Sequence, residues 1–318
     1  AKALTVSVEL GGAQQWNVTG VSYRSCDENG TNWTTATCTD AAEVTNADTA
    51  WGTSASDTWY VVNGTMTIGS LSSKIRISVS GNVHLILTDG CSLTINGGIE
   101  VADGNSLTIY GQTGDTGSLL IQNVDNEKAG IGSASNTKCG SITINGGKVN
   151  VAKSGYNGAG IGSGYQGDSG TITINGGIVT ATGNGYSAGI GGGALRSGGT
   201  ITINGGTVTA TGGRSGGAGI GGGDWGDGGT ITINGGTITA TGGKDGGAGI
   251  GGGRYAAGGN IAINGGTVTA TGGNSGGAGI GGGAGGAGGG GGSGGTVARS
   301  NGIVMASSIS DTSSENSR

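Results

Sequence analysis

Aromatic and cationic side chains recur at equivalent places in the second half of this 318-residue chain. They occupy the variable segments on either side of a repeated Ala-Gly-Ile-Gly motif, as at residues 218–221. Aromatic faces bury the C–H surface of sugar rings, and guanidinium or ammonium groups reach hydroxyls and uronate carboxylates. The pattern therefore suits an extended polysaccharide. The predicted ligand contacts are Trp225, Tyr255, Arg214, Arg254, Tyr186, Tyr156, Tyr165 and Arg196.

Carboxylates and histidine, the usual groups of a hydrolytic site, are scattered along the chain. The regular repeats carry Asp168, Asp224, Asp227 and Asp245, of which only Asp224 and Asp227 share a loop. A glycosidase needs two carboxyl groups about 5–10 Å apart across a cleft, and no such pair can be assigned. The single histidine, His84, lies in an apolar run, where a structural role is expected. The sequence therefore predicts a protein that is not an enzyme and that has no cofactor or metal. Nothing in the sequence indicates structural calcium.

Threonine alternates along one predicted strand in four of the five repeats and gives a second candidate surface; the first repeat has Lys148, Asn150 and Ala152 there. Neighbours in such an array lie about 4.8 Å apart between coils and roughly 6.7 Å along a strand. Arrays of this kind resemble those of β-helical ice-binding proteins, so ice binding is the alternative function. The competing interpretation is that Thr is simply a favourable exposed strand residue. The array comprises Thr180, Thr182, Thr207, Thr209, Thr211, Thr237, Thr239, Thr241, Thr267, Thr269 and Thr271.

Both candidate surfaces belong to a repeat of about 30 residues. A fixed period in this range is typical of solenoids, whose units stack on one another. Within each copy, three short runs alternate between apolar and small or polar residues, which predicts strands with one buried face. The fold class is therefore all-β, a parallel β-helix with three strands per coil. The copies begin at Gly140, Gly170, Gly199, Gly229 and Gly259.

The alternation also predicts which side chains point inward. In the third copy the inward set is Ile201, Ile203, Val208, Ala210, Ala218 and Ile220. The first of these should stack with Ile142, Ile172, Ile231 and Ile261 in one column. An asparagine follows the first strand of each copy, and stacked Asn side chains can satisfy their own amides. Those asparagines are Asn145, Asn175, Asn204, Asn234 and Asn264.

Glycine makes up 82 residues, and many of these fall in the Ala-Gly-Ile-Gly run. If that run is a strand, its outward positions carry no side chain. The predicted result is a bare backbone floor between the two rims of aromatic and cationic residues. The floor positions are Gly160, Gly162, Gly189, Gly191, Gly219, Gly221, Gly249, Gly251, Gly279 and Gly281.

Residues 1–58 differ in composition and are predicted to form an N-terminal cap with entry strands, because a solenoid must cover its first coil. Four of the five tryptophans lie at or next to this segment: Trp16, Trp33, Trp51 and Trp59. A binding role for these aromatics is the alternative. Cys26 and Cys38 are a candidate disulfide in an oxidising compartment. Cys91 and Cys139 are either buried free thiols or a second bridge.

The β-helix is expected over 59–300, followed by a C-terminal strand and polar tail at 301–318, which is a candidate truncation point within a longer protein. The net charge of −5 argues against nucleic acid or an anionic membrane as partner. No apolar run is long enough to insert into a membrane. The Ala-Lys-Ala start suits a mature form after signal-peptide cleavage.

The long motif G-G-T-I-T-I-N-G-G-T-V-T-A-T-G-G followed by G-A-G-I-G-G-G resembles the repeats of secreted Gram-positive bacterial surface proteins. The resemblance spans about residues 55–305 and includes W-Y-V-V-N-G-T near its start. It implies a right-handed parallel β-helix of pectate-lyase-like architecture that is secreted or attached to the cell surface. It also implies an adhesin-like or carbohydrate-binding role, with a polysaccharide or host glycan as partner. A structural stalk within a longer surface protein is the third alternative.

Overall fold

A computed structural model describes residues 17–27, 29–54, 57–285 and 291–310, and in these ranges all regular structure is β-strand. Three parallel ladders form a right-handed β-helix, as predicted. Each coil contributes one strand to each ladder in turn, and within a ladder the strands of adjacent coils pair with one another. No helix among the described residues is long and apolar enough to cross a membrane.

The first sheet has eleven strands, and in the five regular coils the sharp turn after its strand carries the recurring asparagine. Its strands are Asn17–Val18, Ala41–Glu43, Asp57–Val62, Asn82–Leu87, Ser106–Tyr110, Ser141–Ile144, Thr171–Ile174, Thr200–Ile203, Thr230–Ile233, Asn260–Ile263 and Thr296–Arg299. All neighbours are parallel except Asn17–Val18, which runs antiparallel to Ala41–Glu43.

The second sheet has nine strands and carries the threonine array. Its strands are Thr65–Ile68, Ser92–Asn96, Ser118–Gln122, Lys148–Val151, Ile178–Thr182, Thr207–Thr211, Thr237–Thr241, Thr267–Thr271 and Ile303–Ala306. The third sheet also has nine strands, most of only two residues. These are Ala50–Trp51, Ile77–Val79, Ile99–Glu100, Ile131–Gly132, Ile161–Gly162, Ile190–Gly191, Ile220–Gly221, Ile250–Gly251 and Ile280–Gly281.

The core is a set of aliphatic columns along the helix axis. Ile142, Ile172, Ile201, Ile231 and Ile261 pair in direct register and are fully or almost fully buried, as predicted. The column continues through Leu107 and Val83 at one end and Val297 at the other. Stacking of like side chains buries apolar surface that a single coil could not bury alone, which is the main source of stability in such a fold.

The predicted asparagine ladder is present. Each side-chain Nδ2 donates to the Oδ1 of the preceding Asn at 2.7–2.8 Å, from Asn264 back to Asn145. The ladder satisfies these amides at the turn between the first and second sheets. It also fixes the register between coils, because a slip would leave each amide without its partner.

The described part of the N-terminal segment contacts both the core and the outer surface of the β-helix. Trp51 is fully buried in the core beside Tyr60, with ring centroids 5.7 Å apart. An antiparallel hairpin, Val21–Ser25 with Thr34–Cys38, instead packs against the outer face of the first sheet, over Tyr110. Trp59 lies on that outer face. Trp16 lies outside the described residues.

The predicted Cys26–Cys38 disulfide is wrong. All four cysteines are free thiols. The hairpin register places Cys38 opposite Val21, whereas Cys26 follows Ser25, which pairs with Thr34. The two cysteines are therefore about five residues apart along the hairpin, roughly 16 Å at the rise of a strand, whereas a disulfide needs Cα atoms within about 7 Å.

The parallel ladders extend past both limits of the predicted 59–300 range. Ala41–Glu43 already pairs parallel with Asp57–Val62, and Ile303–Ala306 pairs with Thr267–Thr271. Residues 311–318, the end of the predicted polar tail, lie outside the described residues.

Candidate functional site

Two loops flank each short strand of the third sheet, and they lie side by side. We call them the entry loop, as at 212–217, and the exit loop, as at 222–228. Ala218 N–H donates to the Gly222 carbonyl at 2.9 Å, which closes the base of the pair. Between coils, Asp224 N–H donates to the Tyr186 carbonyl at 2.7 Å, joining an exit loop to the entry loop of the previous coil. The two predicted rims are therefore one projecting ridge, built from both loops.

The predicted open glycine floor is wrong, because the glycines at its positions are buried. A Cβ placed on Gly221 would lie 2.0 Å from the Gly251 carbonyl oxygen, and one on Gly219 would lie 2.6 Å from that of Gly249. The prediction assumed an extended strand with every second residue facing solvent. The real strand has two residues, and the coils approach so closely that a side chain does not fit. Glycine here serves packing, and no ligand track exists at this face.

In five successive coils, one residue of the exit loop has a left-handed backbone conformation. The series is Asn136, Gln166, Leu195, Trp225 and Tyr255, with φ between 54° and 69°. The backbone N–H of each residue donates to a carbonyl in the next coil, that of the residue just before the equivalent turn position. These five hydrogen bonds are 2.8–3.2 Å long, so the turns form a ladder. This conformation costs a bulky L-residue about 1 kcal/mol or more. The turn holds Leu195 and Trp225 outward, 43% and 60% exposed.

Trp225 and Tyr255 stack on the ridge with ring centroids 4.4 Å apart and planes inclined by 30°. The Arg254 guanidinium lies 4.9 Å from the centre of the Tyr255 ring. Arg254 also donates through Nε and Nη2 to the two carboxylate oxygens of Asp224, at 2.9 and 3.1 Å. Burial raises the pKa of Asp224, against the opposing effect of the Arg254 hydrogen bonds. Asp224 thus fixes Arg254, and Arg254 supports one face of the aromatic pair.

A cleft of about 220 Å³ opens beside Trp225 on the ridge. It is lined by Asn157, Tyr165, Tyr186, Ala194, Leu195, Asp224 and Trp225. Tyr186 comes from an entry loop and Tyr165 and Trp225 from exit loops, so the folding of the loops brings together residues predicted on opposite rims. Tyr156, on the neighbouring entry loop, contacts the Tyr186 ring edge-to-face at 6.0 Å.

The remaining predicted contacts lie elsewhere on the ridge. Arg196 Nη1 is 3.3 Å from Asp168 Oδ1, and its Nε donates to the Gln166 carbonyl. Arg214 is exposed on its entry loop and does not line the cleft. Sequence reasoning missed Leu195 and Asn157. Aligning the repeats would have found Leu195, because it stands at the position of Trp225 and Tyr255.

The threonine array of the second sheet is in exact register. Thr180, Thr209, Thr239 and Thr269 are direct partners along the ladder, and so are Thr182, Thr211, Thr241 and Thr271. The third column contains only Thr207, Thr237 and Thr267, because Ile178 occupies the equivalent position in the preceding coil. None of these Thr residues is buried. Other residue types take the Thr positions in the coils at the two ends of the array. These are Lys148 and Asn150 at one end and Ile303 and Met305 at the other.

Three of the four scattered carboxylates have structural partners, and the fourth, Asp245, is exposed on its entry loop. Asp227 accepts from the Ala257 N–H at 2.8 Å, and Asp168 and Asp224 pair with arginines. His84 lies on the first sheet, stacked on Trp59 at 4.2 Å and hydrogen-bonded through Nδ1 to the Tyr110 hydroxyl at 3.1 Å. Within the described ranges, no group of three or more His, Cys, Asp or Glu is placed to hold a metal ion.

Comparison with known proteins supports the architecture. A family model described as a β-helix repeat matches residues 142–165, 172–194, 201–224 and 231–254. Each match begins at the first buried Ile of a coil and ends in the exit loop. Neither the curated proteins nor the solved structures include a significant match to the chain. The chain is a parallel β-helix protein.

Proposed function

We propose that this β-helix is a non-catalytic binding protein that recognises polysaccharide at the ridge running from Tyr156 to Tyr255. The observation that carries the proposal is the exposed Trp225 ring, stacked on Tyr255 beside a cleft lined by further tyrosines. Folding does not require a large aromatic ring at a solvent-exposed turn that also strains its backbone. Such a position is better explained by a contact with a ligand.

The chemistry of the ridge fits sugar rings. An exposed indole gives a flat apolar face for sugar C–H groups, while the Tyr165 and Tyr186 hydroxyls can hydrogen-bond to sugar hydroxyls. The stack is fixed before binding by Tyr255, Arg254 and Asp224, which lowers the entropy cost of ordering it. Arg214 and Lys244, both exposed on entry loops, are placed to meet polar groups further along a chain.

The partner in this proposal is an extended glycan on a cell or in a matrix, which places the protein outside the cell, secreted or attached to a surface. Further domains of a longer surface protein are part of the same proposal. No catalytic role is proposed, because Asp224 is the single carboxylate that lines the cleft and it is paired with Arg254.

A glycan array combined with pull-down on insoluble polysaccharides tests the function. We expect binding to at least one extended glycan, reduced by competition with soluble fragments of that glycan. If no glycan binds at high protein concentration, the ridge is not a glycan site, and the structural stalk becomes the better explanation.

The threonine array supports a second candidate, ice binding. Its specific support is the register of three Thr columns over consecutive coils on one exposed sheet. Regular hydroxyl and methyl groups at the ladder spacing of about 4.8 Å give a repeating surface on which water can order. Thermal hysteresis in the unmodified protein is the deciding measurement for this candidate.

A further inference from the structure

A second cleft, of about 350 Å³, opens on the ridge on the N-terminal side of the first. Tyr156 lines it with a ring that is 43% exposed. The same ring contacts that of Tyr186, which lines the cleft beside Trp225. The two clefts are therefore neighbours, and a glycan that lies along the ridge meets both.

One wall of the second cleft comes from a distant coil. The strands Ser92–Asn96 and Ile99–Glu100 are joined by only two glycines, so their coil has no loop at the ridge. Lys74, one coil earlier, reaches across this gap, and its Nζ donates to Asp125 Oδ1, one coil later, at 2.9 Å. The bond lowers the pKa of Asp125 and keeps its carboxylate charged at neutral pH. Lys74 is thereby held in place as part of the cleft lining.

Cations outnumber acids at the second cleft. Lys74 and Lys153 line it and no described Asp or Glu does, although Asp125 and Glu127 belong to a loop that borders it. Lys153 is exposed and forms no ion pair with any described residue. Asp125 is matched twice, because Lys128 Nζ lies 3.6 Å from its other oxygen. An ammonium group has three N–H donors, so Lys74 keeps two for a ligand.

Side-chain amides add further donors to this lining, from Gln122, Asn123, Asn126 and Asn184. Ammonium and amide N–H groups together suit a ligand group that only accepts hydrogen bonds, as an ionised acid does. The first cleft offers no such match. Its one charged residue is Asp224, which Arg254 already pairs.

We infer that the second cleft binds an anionic group of the polysaccharide, a carboxylate or a sulfate, beside a sugar ring that lies on Tyr156. This inference rests on the proposed function and narrows its ligand to an acidic polysaccharide. Lys153 and Lys74 are the specificity-determining residues, because they supply the charge that a neutral glycan does not need. The aromatic stack at Trp225 contributes to the binding of either kind of chain.

The experiment compares three soluble oligosaccharides of equal length by calorimetry. A mannose fragment from mannan is neutral, a mannuronate fragment from alginate has the same linkage with carboxylates in place of primary hydroxyls, and a sulfated mannan fragment separates sulfate from carboxylate. We expect at least one anionic fragment to bind roughly tenfold more tightly than the neutral one, the scale of two exposed ion pairs. Added salt should reduce this preference, because exposed charges are screened.

The variants Lys153→Gln and Lys74→Gln should each weaken binding of the anionic fragment by roughly threefold to fivefold and leave the neutral fragment unaffected. Lys153 is the cleaner site, because it has no partner among the described residues whose loss could disturb the fold. Lys148→Gln is the matched control. Lys148 is also an exposed lysine without an ion pair to a described residue, but it lies on the second sheet outside the cleft.

Three results would overturn the inference while glycan binding itself stands. The first is equal or tighter binding of the neutral fragment, and the second is an anionic preference that survives both cleft substitutions or falls equally with Lys148→Gln. The third arises if none of the three fragments binds and every glycan found on the array is neutral, whereas acidic glycans there would support the inference. If no glycan binds at all, the proposed function fails as well, so the two failures are distinguishable.

Discussion

The ring of Trp225 lies on the ring of Tyr255 with centroids 4.4 Å apart, and both residues occupy the same left-handed turn of consecutive coils. The repeat therefore sets the spacing of the rings, since adjacent coils are one ladder step apart. Tyr255 has the Arg254 guanidinium against it as well. Trp225, 60% exposed, is the ring that remains open to a ligand.

Asp224 should act as a positioning residue for this pair. Replacing it by Asn removes the charge that holds Arg254, which in turn loosens Tyr255. We expect Asp224→Asn to weaken glycan binding by about 1 kcal/mol, the scale of one lost charge-assisted contact, and to reduce the near-ultraviolet dichroism of the aromatic rings. Asp227→Asn is the control in the same loop, because Asp227 is exposed and bonds only a backbone N–H. Equal effects of the two substitutions would argue against the positioning role.

Gly221 should be essential for folding rather than for binding. Any side chain there meets the Gly251 carbonyl, so we expect Gly221→Ala to lower the free energy of unfolding by at least about 2 kcal/mol. Gly64→Ala is the control. Gly64 also has a positive φ, of 82°, but nothing lies within 4 Å of an added Cβ, so only backbone strain of about 1 kcal/mol remains. Denaturant unfolding measures both. A Gly221 variant as stable as the Gly64 variant would contradict the packing described here.

His84 should make the stability of the first sheet depend on pH. Burial lowers the pKa of His84 from its ordinary 6.5, although Asp57, 3.9 Å from Nε2, opposes this. The unfolded chain therefore takes up the proton first as pH falls through 6.5, and the folded state loses stability relative to it. We expect the unfolding free energy of the unmodified protein to fall relative to that of His84→Phe as the pH is lowered below 6.5. Phe keeps the stacking on Trp59 without a titrating group. If the difference in unfolding free energy between the two proteins does not change with pH, folding does not lower the pKa of His84.

The threonine array makes a separate prediction. If it orders ice-like water, replacing Thr209 and Thr239 together with Lys should abolish thermal hysteresis without lowering the melting temperature, because both side chains are exposed. Replacing Thr200 and Thr230 is the matched control. They are equally exposed and directly paired, but they lie on the first sheet. An absence of hysteresis in the unmodified protein removes this candidate.

Much of the fold could be predicted because it depends on periodicity alone. Ile201 and its column, the Asn204 ladder and the Thr209 column follow from alternation within one repeat and stacking of identical repeats. The loops could not be predicted in this way. Whether Gly221 faces solvent depends on hydrogen bonds between entry and exit loops. The left-handed turn that holds Trp225 outward depends on a bond to the next coil.

The structure of the N-terminal segment was the hardest to predict from the sequence, because this segment contains no repeat. The separation of Cys26 from Cys38 depends on the register of a hairpin, and register is fixed by turn geometry and by packing against Tyr110. Neither can be read from the spacing of two cysteines. The two missed cleft residues, Asn157 and Leu195, are individually unremarkable in the sequence and gain their interest only because the folded loops place them in the cleft beside Trp225.

The central claim is that the ridge binds polysaccharide through Trp225. The most direct test is the affinity of Trp225→Gly for whichever glycan the unmodified protein binds, measured by calorimetry beside Gln166→Gly. Glycine fits the left-handed turn, so the substitution removes the ring and leaves the backbone unstrained. We predict a loss of about 1–3 kcal/mol in binding free energy for Trp225→Gly, no loss for Gln166→Gly, and melting temperatures at least as high as that of the unmodified protein. Unchanged affinity of the Trp225 variant would contradict the account.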